Sequence, residues 1–253
     1  MRALPAGEFH EIGTECFLLN RFNLAAMMTE SWAVPSSFPA GPVASPEFAA
    51  TQQLLPPWTL IIAINAFARR TEEKIAYEVE ALKETCDLLN VRLLESLPGI
   101  PGAESTIAAE LLRPWKILKK FNHKGAVHDL TFKAPLHRIA QLEQVFSRLA
   151  QEHDYPVPDA GIYLLPLERG RAIHAEFDLH CPAAEGPEKN KVKGLWLKAS
   201  SALIHEGAYF DRPYGPWASL MYARAASYTH VLKQLKSEID PNNILNPGKL
   251  CFA

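Results

Sequence analysis

The spacing of apolar positions changes period several times along the chain, and each change marks an element. Trp58 to Ala66 (WTLIIAINA) is apolar on both faces, the pattern of a strand inside a sheet. Thr71 then stands where a helix cap belongs. Ile75, Val79, Leu82, Cys86 and Leu89 follow at helical spacing and predict a helix over 71–90. Val91 to Leu97 reads as a short strand, closed by Pro98-Gly99-Ile100-Pro101-Gly102. The order then repeats. Val127 to Phe132 reads as a strand, and Pro135 suits a first helical turn. Leu136, Ile139, Leu142, Val145, Phe146 and Leu149 stripe a helix over 136–153. Gly161 to Leu167 and Arg171 to Leu179 are strands joined by Glu168-Arg169-Gly170, hence a hairpin. Further stripes predict helices over 188–205 and 228–239. Strand–helix–strand, twice over, predicts an α+β fold: a ferredoxin-like duplicated split β-α-β, with helices on one face of an antiparallel sheet. The other sheet face must then be covered or functional.

The segments outside this pattern are less regular. Cys16–Leu19 and Phe22–Met28 are short apolar groups and read as helical. Six prolines between Pro35 and Pro57 predict irregular, extended chain. It is either a linker or, given Trp32, Phe38 and Phe48, a strap packed on another surface. The chain therefore divides into an N-terminal helical segment with a Pro-rich strap over 1–56 and a folded domain over 57–253. Residues 103–122 read as helical and then basic; Lys116, Lys119, Lys120 and Lys124 read as a solvated face.

Composition narrows the function. The 253 residues are 48% hydrophobic and carry 26 Lys+Arg against 28 Asp+Glu, a net charge of −2. A protein built to grip nucleic acid needs a basic excess that is missing here. The apolar run from Trp58 to Ala68 is shorter than the roughly 20 residues that span a bilayer. The start, MRALPAGEFHEIG, lacks the apolar core of a signal peptide. Cys16, Cys86, Cys181 and Cys251 have no metal-knuckle spacing and suggest no disulfide framework, which fits a cytoplasmic protein. There is no glycine-rich dinucleotide loop, P-loop, nucleophile elbow or zinc-protease motif.

Three places carry candidate chemistry. In RAIHAEFDLHC, strand alternation sends His174, Glu176, Asp178 and His180 to one face and Ile173, Ala175, Phe177 and Leu179 to the other. Imidazoles and carboxylates in a row suit acid–base work; a solvated strand face would look similar. They are also metal ligands, but His174 and His180 lie about 20 Å apart on an extended strand, too far to share one ion without a bulge, so a metal on these two is the weaker alternative. The loop Gly207 to Gly215 holds Tyr209, Arg212 and Tyr214, which could clamp an anion or simply sit on water. At the C-terminus, Asp240-Pro-Asn-Asn-Ile-Leu-Asn-Pro-Gly-Lys249 stops the last helix.

As a string, DPNNILNPGKL resembles the end of the FAD-linked oxidases of the vanillyl-alcohol-oxidase type, which include D-lactate, glycolate, 4-cresol and vanillyl-alcohol enzymes. The resemblance extends back through Lys233, the Gly207–Gly215 loop and the Gly170–Cys181 strand. It implies the family's C-terminal cap domain, which covers the flavin and shapes the substrate pocket, without the FAD-binding half. That half would be a partner domain or subunit, or a missing part of a longer chain; the start at Met1 favours a separate subunit. By the same resemblance, Asn246, Lys249 and Tyr214 would approach the cofactor. His174, Glu176, Tyr209 and Arg212 would line the pocket over a small-molecule substrate. The hydroxy-acid branch has a two-histidine metal motif with six residues between the histidines; here five separate His174 from His180. The chain is thus expected to act in an FAD-dependent oxidoreductase, inactive alone. A non-catalytic assembly subunit and a free-standing ligand-binding protein are the alternatives, and homo-oligomer formation stays open.

Overall fold

The computed structural model describes residues 15–29, 33–34, 43–44, 46–66, 69–112, 120 and 124–252. In chain order its elements are β1 (Glu15–Asn20), α1 (Arg21–Met28), β2 (Ala33–Val34), β3 (Val43–Ala44), α2 (Pro46–Leu54), β4 (Trp58–Ala63), α3 (Thr71–Leu89) and α4 (Ala103–Leu112). Then follow β5 (Gly125–Pro135), α5 (Ile139–Glu152), β6 (Gly161–Leu167), β7 (Ala172–Pro182), α6 (Pro187–His205), α7 (Pro216–Arg224) and α8 (Ala226–Ile239). Five strands form one antiparallel sheet in the order β4-β1-β6-β7-β5, with β2 and β3 paired apart from it. The fold is α+β, as the periodicity predicts. Because β7 lies between β5 and β6, the run β5–α5–β6 is a split β-α-β unit.

The alternation in β7 decides where the main core sits. Ile173, Ala175, Phe177 and Leu179 join Leu130 and Phe132 of β5 and Ile162 and Leu164 of β6. Against them pack Ile139, Leu142 and Phe146 of α5 and Val192, Leu195, Ala199 and Leu203 of α6. Phe177 is central, with the rings of Phe132 and Phe146 at 5.1 and 5.0 Å.

A second core lies on the opposite face of the sheet, at its β1 end. Phe17 and Leu19 of β1 meet Phe22, Leu24 and Ala25 of α1 and Phe48 of α2, with Tyr163 and Leu165 of β6 beside them. This face is therefore covered over β1 and β6 and polar over β7 and β5.

Three expectations are corrected. Cys16–Leu19 is a strand, not a helix: Phe17 and Leu19 are buried on one face, and the strand pairs with both β4 and β6. The sheet thus draws β1 from the 1–56 segment and its other strands from 57–253. Val91–Leu97 forms no strand. The chain leaves α3 through Asn90 in a left-handed conformation, and the Val91 N–H bonds back to the Cys86 carbonyl at 2.9 Å. Leu97 and Ile100 then dock on the second core. Within the Pro-rich stretch, the nine proline-free residues after Pro46 allow α2, with Pro46 at its first position. Trp32 and Phe38 of the expected strap lie outside the described residues.

Asn20 ties the two halves of this arrangement. Its Oδ1 accepts the N–H of Asn23, capping α1, and the N–H of Ile162; its Nδ2 donates to the Ala160 carbonyl at 2.8 Å. Next to it, a Cβ on Gly161 would stand 2.5 Å from Asn23 Oδ1 and 3.0 Å from Asp178 Oδ2. Gly161→Ala is therefore expected to push α1 off the sheet at a cost of about 1–3 kcal/mol. Urea unfolding checks this: a lowered midpoint is expected, and an unchanged one would mean that α1 yields freely.

Candidate functional site

On the face of β7 turned away from α5 and α6, the register sets out rows across the sheet. His174 stands between Lys133 of β5 and Leu165 of β6, Glu176 between Thr131 and Tyr163, and Asp178 between Asp129 and Gly161. Lys120 closes over this face. Its Nζ lies 2.8 Å from Glu176 Oε2, 3.0 Å from Asp178 Oδ1 and 3.4 Å from Asp129 Oδ2. The other Glu176 oxygen, Oε1, is 3.2 Å from His174 Nε2. The ring of Tyr163 meets that of His174 edge-on at 6.4 Å.

This geometry corrects the reading of Lys120 as part of a solvated face: its side chain is only 10% exposed. Lys116 and Lys119 lie outside the described residues, and Lys124 pairs with Asp159 at 3.2 Å.

Three carboxyl groups around one ammonium set strong fields. Burial alone would raise the Glu176 pKa, but the bonds from His174 and Lys120 overcome it and hold the group down at about 2. Burial works against the charge of Lys120, yet Asp178, Glu176 and Asp129 together keep its pKa above the ordinary lysine value. For Asp178, burial dominates and drives the carboxyl well above the carboxylate range, against the pull of Lys120. Burial likewise pushes the Tyr163 phenol up to about 12.

His180 belongs elsewhere. It is fully buried under α1, its ring 4.8 Å from that of Phe22, and its backbone N–H donates to Tyr155 Oη at 2.8 Å. The structure does not bring His174 and His180 together. Among the described residues, no three His, Cys, Asp or Glu side chains are grouped to hold a metal ion.

The Gly207–Gly215 loop extends the sheet beyond β5. The Tyr209 N–H donates to the Lys133 carbonyl at 2.8 Å, and the Lys133 N–H donates back at 2.7 Å. This bridge puts Tyr209 in the same row as Lys133 and His174. Asp211 pairs with Lys133 Nζ at 2.7 Å, while Arg212 and Tyr214 are exposed.

The C-terminal string folds back on α8. Asp240 accepts the N–H groups of Ile244 and Leu245 at 2.9 and 2.8 Å and is bonded by Lys236. Asn243 and Asn246 take left-handed conformations, which asparagine tolerates. Between α7, α8 and this tail lies a cavity of about 690 Å³, bounded by Tyr214, Tyr222, His230, Lys233 and Lys249. Tyr214 and Lys249 thus share one cavity, whose lining does not include Asn246. The phenol of Tyr222 is pushed up by burial and then by Cys251, Tyr228, Tyr209 and Tyr214 nearby.

Sequence reasoning missed α7 and with it Tyr222. The signal was present: Pro216 follows Gly215 at a helix start, and Trp217, Leu220 and Met221 recur at helical spacing against the main core. It also missed the role of Lys120, for which no local signal exists.

No family model matches the sequence, and neither does any curated protein. Among solved structures, p-cresol methylhydroxylase with substrate bound aligns over 94% of this chain and 46% of its own, with a TM-score of 0.68 at 14% identity. The 4-ethylphenol oxidase from Gulosibacter chungangensis, in complex with isoeugenol, aligns over 94% of this chain and 47% of its own, with a TM-score of 0.61 at 15% identity. The chain spans about half the length of these two proteins and shares the fold of the part it covers.

Proposed function

We propose that this chain is the cap and substrate-binding part of an FAD-dependent oxidoreductase acting on a small alcohol, 2-hydroxy acid or p-alkylphenol. The FAD-binding domain would lie on another chain or outside this one. The observation that carries the reading is the fold likeness over 94% of the chain to two phenol-oxidising enzymes about twice its length. The resemblance of DPNNILNPGKL to the tail of the FAD-linked oxidases points the same way. So does the uncovered apolar surface, since Tyr228, Val231, Leu235, Ile239 and Ile244 are all exposed.

The residues fit one end of a flavin dinucleotide. The cavity bounded by Tyr214, Tyr222, Lys233 and Lys249 offers aromatic faces and cations, the donor set for a flat ring or an anionic group. Asn246 and Lys249 sit on the tail beside it. When bound, FAD supplies the hydride acceptor. The protein's own groups bind, orient and move a proton. Glu176 is a weak base at about 2, so its part is to fix the His174 ring, which takes the proton from a substrate hydroxyl. Tyr209, in the same row, and Arg212 on its loop would receive an anionic substrate oxygen. A second reading, a non-catalytic ferredoxin-like assembly subunit, draws on the Lys120 contacts, which engage Glu176 and Asp178 within the fold.

Tight dinucleotide binding needs backbone donors gathered round the pyrophosphate, commonly from a glycine-rich loop or helix N-terminus. The sequence has no such loop. Titrating FAD into the purified chain, with flavin fluorescence as readout, is expected to show no saturable binding at micromolar concentration. Saturable micromolar binding would contradict the division of the site between two domains.

A further inference from the structure

We propose that Asp178 is a carboxylic acid at neutral pH and donates its proton to Asp129, so that the two form a proton-sharing dyad beside Glu176 and His174. The register places them directly opposite each other on β7 and β5, and both side chains reach the same ammonium, that of Lys120. Each spends one oxygen on Lys120, at 3.0 Å from Asp178 Oδ1 and 3.4 Å from Asp129 Oδ2. The remaining two, Asp178 Oδ2 and Asp129 Oδ1, are buried and receive no donor. If both groups were ionised, two buried oxygens would lack hydrogen bonds, and three carboxylates would surround one ammonium. A single proton between the two side chains removes both faults.

The proton belongs on Asp178. Its side chain is 0% exposed, whereas that of Asp129 is 30% exposed and keeps access to water. Glu176 does not compete for it, because Lys120 and His174 already occupy its two oxygens. Among the described residues, the neighbours facing the pair add no further cation close by. β6 contributes Gly161, α1 the neutral Asn23, and α6 the Trp196 indole N–H, which donates to the Asp129 carbonyl at 2.8 Å. The Tyr155 phenol, kept un-ionised by burial, and His180, packed on Phe22, complete the surroundings. The dyad titrates as a unit, and the polar face thereby holds an acid that can release a proton and take it back. This holds whether or not the chain works with a flavin.

Infrared spectroscopy of the full chain at pH 7 tests it. The wild type is expected to show a protonated-carboxyl C=O band that shifts on hydrogen–deuterium exchange. Asp178→Asn is expected to lose that band while keeping the wild-type urea midpoint, because the amide donates to Asp129 as the acid does. Asp129→Asn is expected to shift or abolish the band. A wild-type spectrum with no such band overturns the proposal, and so does a band that stays unshifted in Asp129→Asn. The wild-type and Asp129→Asn spectra decide the matter even where Asp178→Asn fails to fold, and neither depends on flavin binding or turnover.

Discussion

Replacing Lys120 by methionine is expected to lower stability by about 3–5 kcal/mol at pH 7, the cost of stripping a buried ion cluster of its counter-charge. The loss is expected to shrink at pH 3. The ammonium bonds Glu176, Asp178 and Asp129 together. Methionine fills its volume and leaves the charges of Glu176 and Asp129 uncompensated. The pH dependence follows from Glu176, whose pKa falls from an ordinary 4.5 to about 2 in the fold. A depressed carboxyl contributes stability that is present above its unfolded value and lost as pH falls through its folded one. The wild type thus loses the contribution of Glu176 progressively as pH falls from about 4.5 to about 2. The variant keeps only the share due to His174, and its orphaned carboxylates neutralise themselves in acid. Urea unfolding at pH 7 and pH 3 reads both effects. A small loss, equal at the two pH values, would mean that Lys120 behaves as a surface charge.

Phe177→Ala is expected to cost about 3–5 kcal/mol, the range for removing a buried aromatic ring from a packed core. Phe177 is fully buried where β5, β7 and α5 meet, in contact with the rings of Phe132 and Phe146. The cavity left behind cannot close without shifting α5 relative to the sheet. As a contrast, Leu88→Ala on the exposed side of α3 is expected to change stability by less than about 0.5 kcal/mol. Thermal unfolding of the two variants separates them. A loss near 1 kcal/mol for Phe177→Ala would mean that the layer between sheet and helices is loosely packed.

Much of this architecture was legible because it is local. The alternation of β7 is a period-2 pattern, and it correctly separated Phe177 from Glu176 and placed His174, Glu176 and Asp178 together on the face away from α5 and α6. The split β-α-β arrangement followed from one strand, one striped helix and one hairpin in order. The failures share a different cause. ECFLLN is too short for its apolar residues to tell strand from helix, and its identity is set by β4 and by the distant β6, through the pairs Leu18–Leu164 and Leu19–Tyr163. Val91–Leu97 has strand-like composition but pairs with no strand; the chain there turns out of α3 and docks Leu97 on the second core instead. Lys120 stands in a run of lysines that looks solvated in any local window; only the tertiary fold brings it to Glu176 and Asp178. Asp240 read as no more than a helix stop, and the structure shows that its side chain shapes the tail which carries Lys249 to the cavity.

The apolar stripe that predicts α8 lies uncovered at the surface, with Val231, Leu235 and Ile239 exposed. Such a stripe next to a cavity lined by Tyr214, Lys233 and Lys249 is the surface expected of a cap that needs its partner domain. The most direct test of that role is co-expression of the chain with a flavin-binding domain encoded beside it, purification through this chain, and a visible absorption spectrum of the product. The expected result is a yellow complex carrying flavin in equal amount to the chain. A colourless chain that retains no flavin-binding domain would contradict it.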